Sequence, residues 1–176
     1  MRCGGSGSAS GEKMSIDTPV ALVITAVVSS AMAAAASLDQ SVKQLPTRRR
    51  IGVVAYSRYS LVADARNGLF WYVPLAIAWI PITVGAAMTG WADRPSQLRA
   101  LALAMAVLGV SAHLIVTGAF AGPALLSQRR VAGDEDALER VFDRFARWQA
   151  LRAAIDVATL GAAVLALVLT MAERQS

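Results

Sequence analysis

Trp148, Arg152, Asp156 and Thr159 follow one another at intervals of four, four and three residues. On an α-helix that spacing puts them on one face. Arg152 and Asp156 are the only charged residues between Leu151 and Met171, in a stretch otherwise apolar enough for lipid. A lone ionised group in hydrocarbon costs several kcal/mol, so such groups turn inward and pair. Asp156 lies about 6 Å deeper than Arg152, at 1.5 Å of rise per residue. Arg152 can snorkel back to the headgroups, whereas the short aspartate cannot. Asp156 is therefore expected to face the bundle interior with Arg152 as its ion-pair partner. That pair either fixes the rotation of the helix or belongs to a chemical site. Trp148, with an apolar ring and a polar N–H, suits the membrane interface.

His113 is the one histidine, and it interrupts the otherwise uncharged run from Ala100 to Leu126. Its neutral-range pKa suits a general base or a haem ligand. The bland alternative is an interhelical hydrogen bond. Haem through His113 is the weaker chemical option, because a single histidine cannot form a bis-histidine site within one subunit. A di-iron carboxylate centre wants several glutamates with paired histidines, and no span holds a glutamate. No metal and no other cofactor is predicted. Cys3 is the single cysteine, so no internal disulfide and no CxxC redox pair can form.

These residues need elements to hold them. The chain has 176 residues, 56% of them hydrophobic and 16% charged, against about a quarter charged in an ordinary soluble domain. The apolar runs predict spans at about 18–38, 69–89, 99–126 and 151–171, each near the ~20 residues that cross a bilayer. They are apolar all round, which excludes a water-soluble bundle with one polar face per helix. The expected fold is an all-α, four-helix integral membrane bundle, occupying residues 18–176. Residues 1–17, Gly/Ser-rich at "CGGSGSASG", read as a flexible leader, with Met14 as an alternative start.

Charge sets the orientation. Arg2, Lys13, Arg94, Arg99 and Arg174 fall on one side, whereas the two long loops carry the other 12 of the 17 Lys and Arg residues. The positive-inside rule puts both long loops in the cytoplasm and both termini outside, in a multi-pass plasma-membrane protein. The basic balance thus reflects topology and contact with anionic lipid, and no nucleic-acid module is present. Pro46 starts a helix running toward Asn67, with Tyr56, Tyr59, Ala63, Arg66 and Asn67 as its stripe. This helix is expected to lie on the cytoplasmic surface, with Arg48 to Arg50 at the headgroups, and to bend at Gly68 into the second span. The acidic run Asp134 to Asp136 suits a helix N-terminus. Pro74 and Pro81 loosen the second span and can open a cavity, beside an aromatic belt at Phe70, Trp71 and Tyr72.

The order of a span, then "LDQSVKQLP", then a Tyr-containing helix leading into "RNGLFWYVPLA", then two spans, the last introduced by "FARWQALRAA", resembles the anthrone-oxygenase-like family. These are small four-helix membrane proteins. The likeness covers Ala31 to Leu167. It rests on Pro46 after the first span, Arg66 with Asn67 at the second, and Trp148 with Arg152 at the fourth. It implies oxygenation of polycyclic anthrones to quinones without an obvious metal or flavin. In that scheme His113 is the base, Arg152 stabilises an oxyanion, and Asp156 orients one of them. Asn67 and Tyr56 would hold a phenol, Trp148 would pack on the substrate, and Asp39 and Gln44 would line the entrance. A function of another class also fits: a non-catalytic subunit that binds a lipid, a quinone or a partner enzyme through its arginine-rich loops, alone or as a homo-oligomer. Transport is weaker, since no inverted repeat is visible.

Overall fold

The computed structural model describes residues 18–175, and of Ala65 and Leu69 only the backbone. The leader expected at 1–17 therefore lies outside the described residues. Among those described there are helices and turns and no strand. Helices α1 (Thr18–Leu38) and α2 (Leu45–Ile51) are joined by a π-helical segment, Asp39–Gln44, into one rod. Helices α3 (Val53–Val62) and α4 (Leu69–Ala92) are joined by a second, Ala63–Gly68. Helices α5 (Gln97–Ile115) and α6 (Gly122–Leu126) flank a third, Val116–Ala121, and a 3₁₀ turn ends that rod at Arg130. Helix α7 (Glu135–Glu173) runs 39 residues without a π segment. All four rods contain a stretch long and apolar enough to cross a membrane.

The connections are short. Gly52 alone reverses the chain between α2 and α3, at φ 83°, a region L side chains rarely adopt. Asp134 caps α7 by accepting from the Ala137 N–H at 2.9 Å, with Glu135 and Asp136 in the first turn. Both features satisfy or complement free N–H groups, which accounts for the acidic run. At the other end Arg99 donates to the Gly90 carbonyl at 2.7 Å and pairs with Glu173 at 2.8 Å, tying the α4–α5 turn to the end of α7.

The first long loop differs from its expected form. No separate helix runs from Pro46 to Asn67, and the chain does not bend at Gly68, whose φ and ψ are −60° and −43°. Pro46 instead opens α2, the chain turns at Gly52, and helix continues from Val53 into α4. Length explains this. The first and third rods have 34 residues each, about 50 Å at 1.5 Å per residue, against a hydrocarbon layer of about 30 Å. The surplus packs on itself around Leu45, Val53, Tyr56, Leu138, Phe142 and Phe145. Tyr56 meets Phe142 edge to face at 5.0 Å.

Within the apolar part the helices pack through small residues. A Cβ on Gly109 would lie 1.9 Å from Thr159 Oγ1, so α5 and α7 approach as glycine alone permits. The outward residues, among them Val28, Met32, Leu108, Ile115 and Val168, are exposed and apolar. Lipid needs no cover over such a surface, whereas water would.

Candidate active site

Three π-helical segments lie at one level of the bundle, and there the rods part around a cavity of about 190 Å³. A π turn admits an extra residue, so it alters the helix surface locally, and such bulges are frequent at functional sites. Glycine makes room for two of them. The Gly122 N–H bonds to the Thr117 carbonyl five residues back, and a Cβ there would come within 2.8 Å of that oxygen. A Cβ on Gly68 would likewise stand 3.1 Å from the Ala63 carbonyl.

The wall has an apolar part, including Ala33, Ala76, Trp79, Leu125 and Phe145, and a polar part drawn from all four rods. Ser37 and Gln40 come from the first rod, Asp64 and Tyr72 from the second, His113 and Thr117 from the third, and Arg152 from α7. Asp156 is fully buried behind this wall. Ser37 Oγ donates to Asp156 Oδ2 at 2.5 Å, and His113 Nδ1 lies 2.7 Å from Asp156 Oδ1. Gln149 donates to the Ser37 carbonyl at 3.0 Å and steadies that turn of α1. The imidazole stands edge to face on buried Trp79 at 5.2 Å, and the indole N–H donates to Ser30 Oγ at 3.0 Å.

This arrangement selects a tautomer. An ionised carboxylate only accepts hydrogen bonds, so Nδ1 must carry the proton and the neutral ring keeps its lone pair on Nε2. Nε2 is the ring nitrogen without a partner among the described residues, on a side chain that lines the cavity. A histidine oriented through one nitrogen by a buried carboxylate, with the other free at a cavity, is placed to take a proton.

Arg152 does not pair with Asp156 as expected. Its Nη2 donates to Gln40 Oε1 at 2.8 Å, and Asp156 is held by Ser37 and His113 instead. Neutral donors from two other helices satisfy the carboxylate, which leaves the guanidinium on the cavity wall. Arg152 Nε and Thr117 Oγ1 are buried without a hydrogen-bond partner among the described residues. Asp64 accepts from Ser60 Oγ at 2.8 Å. Burial pushes its carboxyl above the usual carboxylate range, while the Ser60 hydrogen bond, neighbouring Arg152 and Gln40 pull it back.

Family models, curated proteins and solved structures give no match to this chain.

Of the residues singled out from sequence, His113, Arg152 and Asp156 come together. The other five do not line the cavity. Asn67 is exposed on the second π segment. Tyr56 is buried in the apolar cap, where desolvation raises its phenol well above the ordinary value. Trp148 stacks on Phe120 at 4.2 Å. Asp39 is occupied by Lys43 at 3.4 Å and by the Gln44 amide at 2.6 Å. The residues missed are Ser37, Gln40, Asp64, Tyr72 and Thr117. Gln40 is next to Asp39, and Asp64 is three residues from Asn67, so the wall uses neighbours of the expected residues. Among the described residues no three His, Cys, Asp or Glu side chains converge as a metal site.

Proposed function

We propose that this protein is a membrane-embedded oxygenase or oxidase for a small, flat hydrophobic substrate, working by base-assisted reaction with molecular oxygen. The observation that carries this reading is His113, fixed through Nδ1 to buried Asp156 and lining the cavity, with Nε2 unpartnered among the described residues. A CH₂ flanked by aromatic rings or a carbonyl is weakly acidic. His113 Nε2 takes one of its protons, and Asp156 stabilises the imidazolium that forms. Arg152 supplies positive charge where the negative charge delocalises onto oxygen. The carbanion gives one electron to O₂, and the radical pair combines to a hydroperoxide on that carbon, protonated by His113. Loss of water leaves a ketone, so that R₂CH₂ and O₂ become R₂CO and H₂O. This scheme calls on no bound cofactor. It accords with the resemblance to the anthrone-oxygenase-like family.

Size and access support the same reading. An apolar cavity of about 150 Å³ holds benzene, so the space here suits one or two rings, with a third reaching out of its mouth. Tyr72 and Val73 line the cavity and are also exposed, 48% and 44%, on α4. A hydrophobic substrate and O₂ thus enter from lipid. In the membrane the cap of helix ends faces the cytoplasm and both termini face outward, by the bias in Lys and Arg. The arginines of that cap, such as Arg129, Arg130 and Arg144, are exposed to anionic lipid or to a partner enzyme.

The test uses purified protein in nanodiscs, with oxygen uptake and product mass followed for anthrone and 2-tetralone above their spontaneous oxidation. Wild type is expected to accelerate conversion of CH₂ to C=O. His113→Ala and His113→Gln are both expected to lose about 10²–10⁴-fold while staying folded, since an amide hydrogen-bonds but does not take the proton. An active His113→Gln variant removes the base. Tight binding without oxygen uptake favours the non-catalytic ligand-binding subunit instead.

A further inference from the structure

The cavity wall has a second polar patch, of which the proposed chemistry uses only Arg152. It is built around Asp64, the one carboxylate among the described residues that lines the wall directly. Asp64 sits within the π segment Ala63–Gly68. Behind it Ser60 is fully buried and donates to Asp64 Oδ2 at 2.8 Å. Ser60 Oγ in turn receives the Gln128 amide at 3.4 Å, and Gln128, also fully buried, accepts from Ser57 at 2.9 Å. Three buried side chains from two rods thus hold one carboxylate in place. Gln40 and Arg152 stand beside it, and Arg152 Nε is buried without a partner.

We propose that this patch is a hydroxyl-recognition subsite, and that the cavity selects a flat ring system with hydrogen-bonding oxygens at two positions, one met by His113 and the other by Asp64 with Arg152. Asp64 accepts from the ligand's hydroxyl. Arg152 donates to the same oxygen or to a neighbouring one. The hydroxyl is chosen because a carboxylate beside a guanidinium offers an acceptor and a donor together, which a hydroxyl matches and an ether matches only in part. A buried polar group left unpaired is costly, so this subsite rejects rings that lack the hydroxyl more strongly than an apolar wall would. This inference rests on the cavity being the substrate site, and it makes Asp64 a specificity residue.

The ligands for the test are 2,6-dihydroxynaphthalene, 2-hydroxy-6-methoxynaphthalene and 2,6-dimethoxynaphthalene. Binding is read by quenching of tryptophan fluorescence, with Trp79 on the cavity wall as reporter and Trp79→Phe as the control for signal origin. Wild type is expected to bind the dihydroxy compound about 10-fold or more tighter than the monomethyl ether, and that tighter than the dimethyl ether. Asp64→Ala and Asp64→Asn are both expected to keep binding a naphthalene. In Asp64→Ala the preference between dihydroxy and monomethyl compounds falls to within about twofold, while in Asp64→Asn it is reduced. His113→Gln, with Asp64 intact, is expected to keep the preference that Asp64 supplies. Unchanged discrimination in folded Asp64→Ala overturns the inference, as does equal affinity of wild type for all three ligands or no binding of any. Oxygen uptake is scored separately. Selective binding that depends on Asp64 but shows no turnover with anthrone or 2-tetralone rejects the oxygenase and keeps the subsite. Turnover with unaltered selectivity does the reverse.

Discussion

In the proposed reaction Asp156 acts through the two groups bonded to it. Ser37 fixes one carboxylate oxygen and leaves the other for His113 Nδ1. Asp156→Asn tests that division of labour with almost no change in volume. With the asparagine oxygen facing the Ser37 hydroxyl, its NH₂ stands against Nδ1. The imidazole then accepts at Nδ1 and carries its proton on Nε2, the wrong tautomer for a base. Oxidation is expected to fall about 10³–10⁴-fold with thermal stability largely retained, by analogy with other carboxylate–histidine pairs. A near-wild-type rate in oxygen uptake would mean that the tautomer is irrelevant. Which residues share a site with Asp156 was only partly legible. An aspartate in an apolar run announces itself, and so does a lone histidine. Ser37 does not, because serines are common in small-residue helix faces and it is one of six from Ser29 to Ser60 inclusive.

Helices carry the site through their irregularities. The third rod offers a matched pair of glycines within one turn of each other. A Cβ on Gly122 would meet the Thr117 carbonyl at 2.8 Å, whereas one on Gly118 meets nothing within 4 Å. Gly122→Ala is expected to cost about 1–3 kcal/mol, as overpacking does, and to weaken ligand binding by shifting Thr117. Gly118→Ala is expected to be neutral or slightly stabilising, since alanine favours helix. Thermal melts and naphthalene titrations of the two variants check this, and equal behaviour would detach the π turn from the site. The same turns alter which faces the helices present. Each residue of an α-helix advances about 100°, so an extra residue in a turn carries every later side chain to another face. The α-helical stripe through Tyr56, Tyr59, Ala63 and Arg66 ends on Asn67, at the far side of a π segment, where the wall uses Asp64 near its start. On α7, which has no π segment, Arg152 and Asp156 lie on the expected face.

At the scale of the whole molecule the rods are longer than a bilayer is thick, and their surplus lies at the end where α2 turns into α3 and α6 leads to α7. The proposed topology puts that cap in the cytoplasm. Single cysteines at Asp93 and Ala132, both exposed, test it in a Cys3→Ser background. An impermeant thiol reagent added to intact cells is expected to label Asp93→Cys, and Ala132→Cys only after lysis. The opposite pattern would invert the protein.

Length, composition and the spacing of apolar runs determined that the chain is helical and has four stretches able to cross a membrane, because each run must satisfy its own backbone hydrogen bonds in lipid. They also marked His113, Arg152 and Asp156, since a polar group is conspicuous where its burial is costly. Tertiary structure decided who pairs with whom. Asp156 took Ser37 and His113 rather than Arg152 because helices α1 and α5 bring their donors to its level, and no spacing along α7 encodes the rotation of its neighbours. It also decided that the long loops are helix ends, folded back at Gly52 to bury Tyr56, Phe142 and Phe145 against one another. That burial is a contact between segments far apart in the chain, and its energy is set by packing that local periodicity does not contain.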